Sequence, residues 1–259
     1  MTSQEELARA FQSLHVAGDP VVLFNIWDAG SAKAVARAGA KAIATGSWSV
    51  AAAHGYDDGE KLPFDLALAN LERIVAAVDL PVTIDLESGY GRTPEDVGDA
   101  AAKAIASGAI GFNLEDRVIG EKGLYSLDDQ SARVRAAREA ADRAGIPVFI
   151  NARTDTFLKA DPATHDVSHT EEALRRAAAY AQAGASGLFV PGLVNEALLG
   201  RICNASPLPV NVMVHAATPP ASRLAEMGVA RISYGPGPYR ESMGALEEAA
   251  RKSFRSLGH

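Results

Sequence analysis

Three pairs of polar residues stand two apart at the ends of short apolar runs: Asp85 and Glu87, Asn113 and Glu115, Asn151 and Arg153. In a strand that spacing puts both members of a pair on one side. Together with Asp58, the acids Asp85, Glu87 and Glu115 form an all-oxygen group with no His or Cys among them. Carboxylates gathered in one place repel one another unless a cation neutralises them. An oxygen-only set suits a hard ion, Mg²⁺ before Mn²⁺. The competing reading is that these acids cap helices and pair with Arg92, Arg117 or Lys122 at the surface.

Arg153 ends a buried run, where an unpaired guanidinium is costly. It either partners a barrel carboxylate or holds an anionic substrate bidentately. Asn113 and Asn211 are candidate substrate contacts, and His215 is a general acid or a satisfied rim histidine. Gly89 and Gly91 flank Tyr90 in a turn that backbone or ligand can approach closely. Gly235-Pro236-Gly237 is either a phosphate-binding turn or a plain one.

The elements that must position these groups alternate along the chain. Runs rich in Val, Ile and Phe cover 21–26, 42–46, 81–87, 111–116, 147–153, 187–192, 209–214 and 230–235. They are short and nearly continuous, as parallel strands buried on both faces are. Ala-rich helical segments at 31–39, 64–78, 94–107, 128–144, 170–183, 194–203, 219–227 and 238–255 lie between or after them, and another precedes them at 3–15. Gly39, Gly108, Gly184 and Gly228 each close a helix just before a strand. Eight strand–helix units without a linker predict one (β/α)₈ TIM barrel spanning 1–259. An open doubly wound sheet is the alternative, but no Gly-x-Gly-x-x-Gly follows the first strand. The polar groups stand at the C-terminal ends of the strands, where a barrel builds its active site.

Composition narrows the classes. The 259 residues carry a net charge of −7, which gives no global basic field for nucleic acid or anionic membranes. No apolar run is long enough for a membrane span, and the acidic start lacks signal-peptide order, so a cytoplasmic protein is expected. The single cysteine, Cys203, excludes a disulfide framework and cysteine-based metal clusters.

These segments resemble the isocitrate lyase/phosphoenolpyruvate mutase superfamily. Asp85-Leu-Glu87-Ser-Gly-Tyr-Gly91 is similar to its Asp-x-Asp-x-Gly-Tyr-Gly motif, with Glu in the second acidic place. Leu114-Glu115-Asp116, Asn151-Ala-Arg153-Thr-Asp155 and Gly46-Ser47-Trp48-Ser49 followed by Asp58 match further motifs in order. The helix end AAYAQAGA at 178–185 is similar as well.

The resemblance implies a Mg²⁺-dependent barrel enzyme for a small 2-oxo acid. Asp85 would bind the ion directly, and Asp58, Glu87 and Glu115 would hold its waters. The amides of Ser47 and Trp48, with Thr45 and Gly46, would cradle the substrate carboxylate, and Arg153 would bind its oxygens. Cleavage next to C3 would leave an enolate facing the ion and Arg153. The last helix would pack on a neighbouring subunit of a homotetramer or dimer.

Two departures bear on the reaction. The lyases' Lys-Lys-Cys-Gly-His loop is replaced by residues 117–126, which lack cysteine; Cys203 lies elsewhere and reads as packing. The phosphonomutases' Lys-x-Asn-Ser loop is absent as such, leaving Lys122, Tyr125 and Ser126 as candidate groups of a lid. The leading expectation is a lyase or decarboxylase acting by C–C cleavage. The alternatives are a phosphonomutase or phosphonopyruvate hydrolase-type enzyme, and a non-catalytic carboxylate-binding protein.

Overall fold

The apolar runs, flanked by Pro and Gly, pair side by side in parallel. In the computed structural model, which describes residues 2–256, the strands are β1 (Val21–Leu23), β2 (Ile43–Ala44), β3 (Val82–Asp85), β4 (Gly111–Glu115), β5 (Phe149–Arg153), β6 (Gly187–Phe189), β7 (Val210–Met213) and β8 (Arg231–Ser233). Each pairs with its sequence neighbour from β2 to β8, and β8 returns to β1. The remaining seam, between β1 and β2, is bridged at Ile26 and Thr45, where the Ile26 amide reaches the Ala44 carbonyl at 2.9 Å. The result is a nearly closed (β/α)₈ TIM barrel. Strand segments are shorter than the apolar runs because the run ends turn out of the ladder to face the mouth.

Helices α1 (Gln4–Ser13), α2 (Ala29–Arg37), α4 (Phe64–Val75), α5 (Pro94–Ala106), α6 (Leu127–Ala144), α8 (Val167–Gln182), α9 (Glu196–Ala205), α10 (Ala221–Glu226) and α11 (Gly237–Ser256) follow the expected pattern. Two short ones do not: α3 (Ser47–Ala53) and α7 (Thr156–Lys159) start directly where β2 and β5 end. Both lack a side-chain cap, so nothing in the local residues marks their beginning.

The period of two sorts the strand residues. Ile43, Ile84, Phe112, Leu114 and Ile150 face outward onto Leu71 and Ile74 of α4, Val97 of α5 and Val134 of α6. Leu188, Val210, Val212 and Ile232 do the same beneath α8, α9 and α10. Inside, Phe11 of α1 packs with Val21, Leu23, Ala42, Ala44 and Phe149 and plugs the barrel floor. A capping box between Ser3 and Glu6 fixes the start of this plug.

His15 completes the floor. Its ring stacks on Phe149 at 3.8 Å, and Nδ1 meets the Phe11 carbonyl at 2.9 Å. Burial, then the nearby Arg231 charge, pushes its pKa down from 6.5 to about 3. On the opposite flank the outer face of β1 is thinly covered. Val22 and Phe24 stay 44% and 39% exposed beside a groove of 720 Å³ between the ends of α1 and α2. Helix α11 leaves Leu246 and Phe254 exposed as well.

A histidine held neutral by the fold contributes stability above pH 6.5 and withdraws it as pH falls towards its folded value. Urea unfolding at stepped pH should therefore show wild type losing its advantage over His15→Gln as pH drops below 6.5. A constant difference between the two proteins from pH 7.5 to 5 would contradict the burial of this ring.

Candidate active site

The C-terminal rim of the barrel divides into an acidic corner and an ion-paired arginine. In the corner, the Asp85 amide donates to Thr45 Oγ1 at 3.1 Å, which seats the end of β3. Asp85 Oδ2 accepts from the Ser47 hydroxyl at 3.0 Å, and the same hydroxyl lies 3.4 Å from Asp58 Oδ1. Ser47 thus bridges two carboxylates from the first turn of α3. Asp58 is raised above its ordinary pKa by burial and then by Asp85. Glu87 is pushed up to about 8 by burial, then by Asp58 and Asp85.

Gly46 caps α3 without a side-chain acceptor, and the Ser47 amide, like its hydroxyl, points to Asp85 Oδ2, at 3.5 Å. The Trp48 ring turns aside to Tyr239, 5.9 Å away, beneath the Arg240 guanidinium. The Thr45 hydroxyl accepts from the Asp85 amide and its carbonyl from Asn25 at 2.9 Å, so it holds the strand end.

Across the mouth, Arg153 is gripped on two sides. Nη1 lies 2.7 Å from Glu115 Oε2, while Nε and Nη2 reach the Asp155 oxygens at 2.6 and 3.0 Å. Its burial opposes the charge, yet Glu115 and Asp155 hold the guanidinium protonated. Partnership with a barrel carboxylate is thus realised.

Asp155 is itself fixed from outside the barrel. Its amide donates to Asp116 Oδ1 at 2.9 Å, and Asp116 Oδ2 accepts from Arg176 Nη1 at 3.0 Å and Tyr180 Oη at 2.9 Å. Asp116 follows Glu115, so parity turns it outward to α8. The Tyr of the 178–185 motif is a member of this buried network.

The other expected site residues separate. Asn113 and Asn211 sit in the barrel interior, beneath the mouth. Asn113 Oδ1 accepts from Asn151 at 2.8 Å and Arg231 at 3.2 Å, and Asn211 Oδ1 accepts from Ser233 at 3.2 Å. Arg231, fully enclosed and held down to about 9 by burial, was not singled out in the sequence. Its inward parity with Ser233 was the available signal.

Lys122 stands on the exposed tip of a hairpin bridged at Arg117 and Leu124. Tyr125 is held through its ring and backbone. Its ring stacks under the Arg133 guanidinium at 4.1 Å, its amide donates to Asp116 and its carbonyl accepts from Arg176. Ser126 is the N-cap of α6, accepting from the Asp129 amide at 3.1 Å. His215 lies exposed after β7, tied to its own loop through Thr218.

The Gly235 turn is a plain one, because the amides of Tyr234 and Gly235 both donate to Asn25 Oδ1. Gly89 serves packing: a Cβ there, at φ +94°, would stand 2.9 Å from Val97. Cys203 packs among the residues under α9, and burial pushes its thiol to about 11.

Among the described residues, no three His, Cys, Asp or Glu side chains converge closely enough to enclose an ion. Asp58 and Asp85 do share one hydroxyl and repel each other, as the raised pKa of Asp58 records. That donor set fits a hard cation held by few carboxylates and completed by water.

Comparison with known proteins agrees with this architecture. The phosphoenolpyruvate phosphomutase family model matches residues 11–254. An uncharacterized protein of Mycobacterium tuberculosis (strain H37Rv) is 34% identical over 93% of this chain and 88% of its own. The 2-methylisocitrate lyase of Escherichia coli K12 is 28% identical over 82% of this chain and 71% of its own. The solved structure of a candidate phosphonomutase from Burkholderia cenocepacia J2315 is 56% identical, with a TM-score of 0.95, covering 97% of this chain and 100% of that one.

The outer network makes a direct prediction. Asp116→Ala strands Arg176, Tyr180 and the Asp155 amide without their shared acceptor, and should cost about 3–5 kcal/mol of unfolding free energy in urea. A cost within error of zero would show that the network does not hold Asp155.

Proposed function

Because the chain belongs to the phosphoenolpyruvate phosphomutase family and is an enzyme of the isocitrate lyase/phosphoenolpyruvate mutase type, we propose that it is a Mg²⁺-dependent lyase or decarboxylase. Its substrate is a small 2-oxo carboxylate, and the bond broken is the one to C3. The observation that carries this reading is a fixed guanidinium, Arg153, at the same barrel mouth as the Asp58–Ser47–Asp85 corner.

Asp85 and Asp58 would hold Mg²⁺ (or Mn²⁺), with Glu115 within the same mouth. The ion, when bound, supplies Lewis-acid polarisation of the 2-oxo group. The chain's own residues do the rest. The amides of Ser47 and Trp48, preceded by Gly46, receive the substrate carboxylate at the start of α3. Arg153, kept charged by Glu115 and Asp155, opposes the negative charge that grows on the 2-oxo oxygen as the C3 bond breaks. Its position is set before substrate arrives, so no reorganisation is needed at that moment. Asn113 and Asn211 form the polar floor beneath the reacting atoms. Lys122, on the exposed hairpin after β4, is the candidate to deliver a proton to C3 should that hairpin fold over the mouth. Tyr125, Ser126 and His215 are given no step, since each is engaged or turned elsewhere.

The 56% identity to a candidate phosphonomutase favours a second reading, cleavage of a P–C bond in a phosphonate of the same 2-oxo acid type. Turnover separates the two. With Mg²⁺, a panel of oxaloacetate, the 2-hydroxy acid 2-methylisocitrate and phosphonopyruvate should show oxaloacetate, the 2-oxo C–C substrate, consumed, and Asp85→Ala should lower Mg²⁺ affinity by about 100-fold or more. Consumption of phosphonopyruvate alone selects the second reading. No turnover of any of the three, or undiminished Mg²⁺ affinity in the variant, contradicts the first.

We also propose a homo-oligomer, a tetramer or dimer, in which α11 of one copy covers the groove beside β1 of another. The support is an uncovered apolar strand face and, on the same chain, a helix that exposes Leu246 and Phe254. Light scattering should give a multiple of 27.1 kDa for wild type and the single-chain mass for the Leu246→Asp, Phe254→Asp double variant. A wild-type protein at 27.1 kDa would exclude this assembly.

A further inference from the structure

Among the described residues, the non-glycine positions with left-handed backbone are Glu60, Glu87 and Tyr90, at φ +57°, +50° and +52°. Such conformations persist in residues with a Cβ only where the surroundings enforce them. Here the three enforce one another. Glu87 Oε2 accepts from the amides of Gly59 at 2.9 Å and Glu60 at 2.8 Å. Glu60 Oε1 accepts from the Tyr90 amide at 2.9 Å. The Tyr90 hydroxyl returns to the Glu87 carboxylate, and its ring stacks on Phe64 at 4.5 Å. The loop after β2 and the loop after β3 are thereby closed into a single clasp.

We propose that Glu87 is a positioning residue for this clasp and not one of the carboxylates that surround the cation. Its backbone is anchored at the end of β3, with its amide on Asp85 Oδ1 at 3.2 Å and its carbonyl receiving the Glu115 amide at 2.8 Å. From there the side chain extends past Asp85 to a turn on the neighbouring loop. That turn begins one residue after Asp58. Holding Gly59 and Glu60 therefore holds Asp58 beside Ser47 and Asp85. An aspartate at this position is one methylene shorter and does not reach the two amides from the same backbone. The Glu that departs from the Asp-x-Asp motif is, on this account, a change of task.

The inference rests on the metal reading given above, and two substitutions test it. Glu87→Gln keeps the length and an amide oxygen that accepts from Gly59 and Glu60, but loses the charge. Glu87→Asp keeps the charge and loses the reach. Mg²⁺ affinity by calorimetry should fall about tenfold or more in Glu87→Asp and by clearly less in Glu87→Gln. Equal losses, no loss in either, or a larger loss in Glu87→Gln would overturn the proposal.

Amide hydrogen exchange of residues 59 and 60 supplies a readout that needs no metal. It should be unchanged in Glu87→Gln and faster in Glu87→Asp, while the barrel amides of Ile84 and Phe112 remain protected in both. Unchanged exchange in Glu87→Asp would overturn the clasp itself. If wild type binds no Mg²⁺, the metal reading fails, and the clasp stands or falls on exchange alone.

Discussion

The repulsion between carboxylates brought together in a low-dielectric barrel mouth is the constraint to which the rest of this molecule answers. Asp58, Asp85, Glu87, Glu115 and Asp155 all lie along the C-terminal rim of one barrel, close enough for their charges to be felt. Left alone they would take up protons or push the loops apart. The chain answers with three devices of different kinds. Arg153 stands between Glu115 and Asp155 and satisfies one oxygen of the first and both of the second. The Ser47 hydroxyl bridges Asp58 and Asp85. Glu87 gives its oxygen to backbone amides of a neighbouring turn. What has no guanidinium beside it is the Asp58–Asp85 corner, which is why the proposed cation is assigned there.

Support for the mouth comes from outside and below. Arg176 and Tyr180 on α8 fix Asp116, which fixes Asp155, which fixes Arg153. Arg133 on α6 donates to the carbonyls of Ser88, Gly91 and Arg92 and so holds the loop that follows Glu87. Below, the asparagines and Arg231 form a polar layer above the floor of Phe11 and His15. Arg153 and the loop after Glu87 thus take their positions from side chains outside the mouth.

Much of this was legible in the residues. The strand runs, the glycine helix ends and the concentration of acids at one end of the strands follow from periodicities of two and 3.6. Parity also put Asp85 with Glu87, Asn113 with Glu115 and Asn151 with Arg153 on one side of their strands, while leaving open which group Arg153 would meet. It would have sent Asp116 to the outer layer and Arg231 to the interior, had it been applied to every residue of each run. Ser126 carried its own explanation, because Ser-x-x-Asp ahead of an Ala-rich segment is a capping pattern. Helix α3 was hidden, since Gly46 provides no cap. The clasp was beyond reach: nothing in Glu60 or Tyr90 announces left-handed backbone, which arises only when two loops distant in sequence meet.

The seam of the barrel has a temporal side. β1 joins β2 through one bridge at Ile26, while its ladder, Val21 through Leu23, is formed with Arg231 through Ser233. The first strand to be synthesised therefore waits for the last one before it has a continuous partner. Closing a loop of that length is slow. Until β8 leaves the ribosome, β2 through β7 can form an open sheet, with β1 and its exposed Val22 and Phe24 unpaired at the side. The sheet is thus closed by the pairing of greatest sequence separation, and a chain that has yet to make it holds one strand without a ladder partner.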